Sequence, residues 1–391
     1  MINLKSHLQR YWNYGIIFLL LVFQFLISCN TNDYNYRVFV GTYTDNGSEG
    51  IYSFKFNPTT GDVSSVELAA VTDNPSFIAI DQKGKFLYAV NEVDNYDENS
   101  SGAISVYELV KGSGKLNLIQ QVSSLGAHPA HLSIDKTGKY LLVANYTSGN
   151  ISVFPIDKDG RLGEHTALIQ NYGSSVNPER QTSPHAHFIQ VSKDNRFVMV
   201  ADLGIDKILI FQFDSATGSL KPNEPAYINL SPGSGPRHFA FTPSGKFLYV
   251  LNELKSTVTI FDFDQATASS QSKQTISTLP ENYNGANTAA EILVDSRGKF
   301  LYASNRGDNS IVQFSIDPVS GMLTPIAWTS SGGKAPRNFD IDATGKWLFS
   351  ANQNSDNILL FKIDQENGQL MNINKSINIK SPVCIKFTSL K

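Results

Sequence analysis

Arg237 and Glu253 stand eight residues on either side of Gly245 in this 391-residue chain. If the chain reverses at that glycine as a hairpin, residues equidistant from it face one another. A guanidinium then meets a carboxylate. The same count about other turn centres brings Arg337 opposite Gln353 (Gly345), Glu291 near Asn305 and Arg306 (Gly298), and His187 near Asp202 (Asn195). Gly138 sets His131 against Asn145, and Gly84 sets Ser76 and Phe77 near Asn91 and Glu92. Arginine offers a planar fork that binds carboxylate or phosphate at two points. A carboxylate or imidazole beside it can act as general base or acid near neutral pH. Arginines, carboxylates and histidines delivered to one face suit a small anionic or polyhydroxylated ligand.

The elements that must position these groups are written in a repeat. PSFIAIDQKGKFLYAVNE begins at Pro75, PAHLSIDKTGKYLLVANY at Pro129, PRHFAFTPSGKFLYVLNE at Pro236 and PRNFDIDATGKWLFSANQ at Pro336. Altered copies begin at His185, with Asn195 at the glycine position, and at Ala289. Gly84 and Gly345 are 261 residues apart, five steps with a mean near 52, a period of the size found in propellers and solenoids. Each copy continues through a short loop, an alternating strand such as 257–263, a Gly-x-Leu turn and a further β-rich run. Four short strands per repeat predict one blade of an all-β propeller. Segments 37–43, 50–56 and 66–71 supply three strands with no partner before them, and 381–389 resembles the missing fourth. A seventh blade closed by the C-terminal strand is therefore expected, which removes the exposed edges of the ring. Kelch double glycines and WD dipeptides are absent.

In such a ring the first strand of each blade lines the central channel, and the paired residues lie at the mouth opposite the Gly-Lys turns. Tyr43 falls at the matching position of the closing blade. The loop before His185, with Arg180 and Gln181, and the Asp/Asn-rich loop 94–102 emerge on the same face, where either could cover a ligand. Each group also has a plainer role open to it. Arg237 and Glu253 could be a cross-strand ion pair that fixes one hairpin, and one of His185 and His187 could be satisfied by a backbone carbonyl. Arg306 could be a solvated loop residue, and Glu291 could anchor it. His128 and His165 read as structural or exposed. The Asp94, Asp97 and Glu98 group lacks the ligand spacing of a calcium loop, and no zinc motif occurs. No metal and no cofactor are expected.

Taken together, RQTSPHAH, GPRH followed by LNEL, AEI followed by ASNR, and PRNF followed by ANQ resemble the seven-bladed lactonase family. That family includes the cycloisomerase-like 6-phosphogluconolactonases and is related to fungal 3-carboxy-cis,cis-muconate lactonising enzyme. The resemblance spans nearly the whole chain after residue 36. It implies a catalytic set of His187 (or His185), Arg237, Glu253 and Arg306; the turn counting and the loop before His185 add His185, Arg180, Glu291, Arg337, Gln353, Asn145 and Tyr43 as expected substrate-binding residues. The implied reaction is hydrolysis of a sugar lactone, with Glu253, assisted by His187, activating water and the arginines holding an anionic group or the oxyanion; base and stabiliser could exchange roles. Two other functions fit the same residues: a muconate-type cycloisomerase, and a non-catalytic envelope propeller that binds glycans or proteins.

The first residues stand outside the repeat. Lys5 and Arg10 precede the apolar run 16–27, which is short for a membrane span and ends in Leu26-Ile27-Ser28-Cys29. That tetrapeptide resembles a bacterial lipoprotein signal, so 1–28 is read as a signal peptide, Cys29 as the lipidation site and 29–36 as a tether to a propeller domain at 37–391. Lipid anchoring in the bacterial cell envelope follows, with the membrane touched only through that lipid. Cys384 is then the one other cysteine, which leaves no disulfide within the mature chain. A formal charge of −3 with scattered lysines gives no basic stripe for nucleic acid.

Overall fold

The computed structural model describes residues 34–390. Seven four-stranded antiparallel sheets follow one another around a central channel. Blade 1 joins the C-terminal strand Pro382–Ser389 to Tyr36–Thr42, Gly50–Phe56 and Glu67–Val71, with Val38 opposite Phe387 and Val40 opposite Ile385. The closing strand is thus the innermost of its blade, as expected. Blades 2 to 7 begin with the inner strands Ile78–Ile80, Pro129–Ile134, Ala186–Val191, Pro236–Phe241, Thr288–Val294 and Pro336–Ile341. The lipoprotein signal, Cys29 and the tether up to residue 33 lie outside the described residues.

Two recurring sequence features explain the repeat. At the tight turn after each inner strand the backbone must take a positive φ: Gly245 adopts +75° and Asn195 +64°. Asparagine is among the few side-chain-bearing residues that tolerate this region, which is why it can replace glycine there. Asp135 Oδ1 accepts the amides of Lys139 (2.7 Å) and Tyr140 (2.9 Å), so the acidic residue before the turn organises it. The second feature joins blades. A Cβ on Gly160 of blade 3 would sit 2.5 Å from the Phe86 ring of blade 2, and Gly61 of blade 1 meets Trp347 of blade 7 in the same way. The aromatic after Gly-Lys in one blade therefore packs on the bare backbone of the next, and the Trp347 indole donates to Pro58 O at 2.8 Å across the closure. Phe56, Phe349 and Phe387 seal that junction, with ring centroids 4.9 to 6.2 Å apart. Cys384 is a free, buried thiol, and burial pushes its pKa up to about 12.

Candidate active site

The mirror count about each turn glycine is offset by a β-bulge. Pro236 pairs with Asn252 and His238 with Leu251, so Arg237 is the extra residue between them. The same irregularity isolates Ala130, His187 and Arg337 in blades 3, 4 and 7. A bulge bends its strand and redirects one side chain. Here it places one residue per blade at the same depth of the channel. Beyond the bulge the second strand ends with an amide returned to the first: Glu253 N donates to Gly235 O (2.7 Å), Glu92 N to Asn74 O (3.0 Å), Tyr146 N to His128 O (2.9 Å) and Tyr43 N to Ser381 O (3.1 Å). These bonds set the blades in register, and they make Ser76 and Val383 the counterparts of Arg237 in blades 2 and 1.

Glu253 is the centre of the charged cluster. Its carboxylate lies 3.2 Å from Arg237 Nε, 2.9 Å from Arg306 Nη2 and 2.8 Å from Arg180 Nη2, the last reaching in from the loop before His185. Burial alone would raise its pKa, but Arg306, Arg237 and Arg180 outweigh that and hold it down at about 2. Burial, followed by the neighbouring Arg306 and Arg337, pushes Arg237 down to about 9, still charged at neutral pH. A second cluster adjoins the first. Arg337 Nη2 donates to the Tyr43 hydroxyl (2.7 Å), which donates to Glu92 Oε2 (2.8 Å), and the guanidinium lies 5.1 Å from the Tyr43 ring centre.

His187 faces a small cavity that Arg237, Arg337, Glu92 and Ser76 also line. Its pKa is held well below the usual histidine range by burial first and by Arg237 next. His187 Nδ1, Arg237 Nε and Ser76 Oγ, all bordering this cavity, are buried with no hydrogen-bond partner among the described residues, as is Arg306 Nε nearby. Arg237 Nε is within ion-pair range of Glu253 but out of hydrogen-bond alignment. Buried polar atoms are ordinarily paired, so this grouping marks where a ligand would bind.

The remaining predicted residues divide. His185 packs behind the cavity: its ring stacks on Tyr146 at 4.5 Å and its Nδ1 meets Tyr146 O at 3.0 Å, the satisfied histidine of the pair. Gln353 lies at the rim, its amide on Ala335 O. Asn145 pairs with Pro129 rather than His131, and its amide group donates to Ser124 O, where it anchors an outer loop. Asp202 caps the turn after its strand by accepting from His185 N and Gly204 N and does not meet His187. Glu291 differs most from expectation. It lies inside the bulge of its own blade, which spans Ala290 and Glu291, a layer deeper than Arg306, and accepts from Asn338 Nδ2 (2.5 Å) while pairing with His238 Nδ1 (2.9 Å). Because Arg237 Nη1 can only donate to His238 Nε2 (3.3 Å), the histidine proton sits on Nδ1 and is given to Glu291. Burial, partly countered by Glu291, lowers His238 to about 4, so the ring is neutral at pH 7.

His238 and Tyr146 are the groups the sequence reading did not select. Tyr146 stands eight residues after Gly138, so the count itself contained it; His238 is masked by its neighbour Arg237. The deeper layer that holds His238 also contains Phe77, His131 and Phe188, whose successive ring centres lie 4.1 to 4.7 Å apart. It separates the cavity from a wider chamber of about 550 Å³ on the Gly-Lys side.

The fold is an all-β seven-bladed propeller that gathers Arg180, Arg237 and Arg306 around Glu253. The chain belongs to the family of seven-bladed β-propeller lactonases, whose pattern its residues 37–387 match. It is 33% identical over 352 residues to 6-phosphogluconolactonase of Bacillus subtilis, covering 90% of this chain and 98% of that protein. A 6-phosphogluconolactonase of Formosa agariphila is 34% identical over 307 residues, 77% of this chain and 85% of the relative. Among solved structures, the periplasmic gluconolactonase of Pseudomonas aeruginosa superposes with a TM-score of 0.85 at 33% identity, covering 91% of this chain and 99% of that one.

Proposed function

We propose that the protein hydrolyses a sugar lactone in the cavity beside Glu253. The observation that carries this reading is the set of unpaired buried atoms, His187 Nδ1 and Arg237 Nε among them, bordering a small cavity next to a carboxylate held by three arginines. The names of its relatives, 6-phosphogluconolactonase and gluconolactonase, agree with it. Glu253 at about 2 is too weak a base to take a proton from water efficiently. Its role in this mechanism is to hold Arg180, Arg237 and Arg306 in place, and His187 takes the base role.

Water adds to the lactone carbonyl carbon as His187 accepts one of its protons, and negative charge develops on the carbonyl oxygen beside Arg237 and Arg306. A preorganised donor at such an oxyanion contributes roughly 3 kcal/mol. The same negative charge stabilises the new imidazolium. The ring C–O bond then breaks, His187 returns its proton to the leaving alkoxide, and a hydroxy acid is released. The excess of arginine over carboxylate at Glu253 also suits the muconate-type reading, in which substrate carboxylates are retained.

The lipobox at Cys29 and the periplasmic relative support an envelope location with a lipid anchor for the 37–391 propeller. There an unphosphorylated aldonolactone is the more accessible substrate, since phosphorylated sugars are mainly cytosolic. The test is acid release by the purified protein from a panel of δ- and γ-lactones. His187→Ala should lower kcat/KM by about 10²-fold or more, while Lys246→Ala at the far rim stays within about twofold. Inertness towards every lactone, or a fully active His187→Ala, would refute the proposal.

A further inference from the structure

The residues at this position fall into two groups that differ in chemistry, with Ala290 of blade 6 outside the cavity lining. Blades 4, 5 and 7 contribute His187, Arg237 and Arg337 to the cavity, all able to meet negative charge or move a proton. Blades 1, 2 and 3, which are consecutive, contribute Val383, Ser76 and Ala130. These three are small and uncharged, and the Phe77 ring borders the cavity beside them. At the level of these residues that group forms an apolar shelf bearing one polar atom, apart from the Glu92 carboxylate of blade 2, which Tyr43 holds. Ser76 is 4% exposed, and its Oγ has no hydrogen-bond partner among the described residues.

The fold does not require a hydroxyl at this place. Ala130 and Val383 occupy the counterpart positions of the neighbouring blades with the same backbone arrangement. A hydroxyl buried without a partner destabilises the native state, so serine here is a cost to folding where alanine would have none. Its position supplies a reason. Blade 2 is three blades from Arg237 in blade 5, nearly across the ring, so a lactone whose carbonyl points at Arg237 and His187 directs the far side of its ring towards Ser76.

We infer that Ser76 Oγ is a specificity contact that hydrogen-bonds a hydroxyl on the side of the sugar ring remote from the carbonyl, while the shelf of Val383, Ala130 and Phe77 takes the ring's aliphatic face. This rests on the lactonase reading and names the feature by which the site separates a polyhydroxylated lactone from a bare one. A site built to bond a substrate hydroxyl discriminates against analogues that lack it more sharply than an apolar pocket can.

The experiment compares wild type with Ser76→Ala on glucono-δ-lactone, or its 6-phosphate if that is the form turned over, and on δ-valerolactone, which has the same ring without hydroxyls. Ser76→Ala should lower kcat/KM for the sugar lactone about tenfold, chiefly through KM, as loss of one neutral hydrogen bond predicts. It should leave δ-valerolactone within about twofold. Equal losses on both substrates, or no loss on either, would overturn the inference. If Ser76→Ala does not fold, the isosteric pair Ser76→Thr and Ser76→Val replaces it, and the hydroxyl-bearing member must keep the preference for the sugar lactone. If wild type opens no lactone, the lactonase reading fails on its own account, and the contact is judged by calorimetric binding. Gluconate must then lose about tenfold in affinity on Ser76→Ala while hexanoate does not change; equal behaviour of the two acids sinks it.

Discussion

Replacing Glu253 with glutamine removes the one negative charge that Arg180, Arg237 and Arg306 share, and the structure sets the size of the effect. A carboxylate of ordinary pKa 4.5 held at about 2 contributes, by linkage, about 3 kcal/mol to folding at neutral pH. The sign follows from the direction: the folded-state value is depressed, so this stability is present above pH 4.5 and is lost as pH falls from 4.5 towards 2. Unfolding entropy for a domain of this length is about 0.7 kcal/mol per kelvin, so Glu253→Gln should lower Tm by roughly 4 °C at pH 7. The gap should narrow between pH 4.5 and 2. Loosened arginines should also raise KM together with a fall in kcat, because both ligand binding and oxyanion stabilisation depend on their placement. Thermal melts across pH and initial-rate kinetics on the same preparations decide the matter. An unchanged Tm and KM with kcat alone abolished would identify Glu253 as the base and refute the anchoring role.

Two predictions concern the chain outside the site. Deleting 382–391 removes the inner strand of blade 1 and exposes the edge at Tyr36–Thr42, so cooperative unfolding should be lost; a truncated protein that melts within a few degrees of the intact one would contradict closure of the ring by this strand. Cys29→Ser should abolish incorporation of a radiolabelled fatty acid, and equal labelling of wild type and variant would exclude Cys29 as the acylated residue.

Much of the fold could be read from the chain because each repeat carries its constraints locally. Gly245 and Asn195 mark turns that need positive φ, and the aromatic after Gly-Lys recurs because it packs on a glycine one blade away, as Phe86 does on Gly160. Ring closure was legible from arithmetic alone, since three strands at one end lacked a partner and one at the other end supplied it. The observed bounds moved by a residue at some ends, such as Tyr36–Thr42 against 37–43.

Most of the side chains that cluster around Glu253 were named from the sequence, their geometry was not, and the bulge accounts for the difference. Mirror counting assumes an unbroken ladder, in which Arg237 and Glu253 would be simple cross-strand neighbours and Glu291 would face Asn305, beside Arg306. The bulge breaks that assumption. Arg237 reaches Glu253 because it is excluded from the ladder and turned towards the channel, while Glu253 lies just past the last paired residue, Asn252. Glu291, the second residue of a two-residue bulge in blade 6, drops to the next layer and meets His238 and Asn338. Nothing in a single hairpin signals this, since Pro129-Ala130 and Pro236-Arg237 share a backbone and differ only in side chain. The inner strands can therefore keep one repeated backbone while the bulge position varies freely. His187 and Arg237 stand where Ala130 and Ser76 stand in other blades, so the chemistry is set by which blade carries which residue.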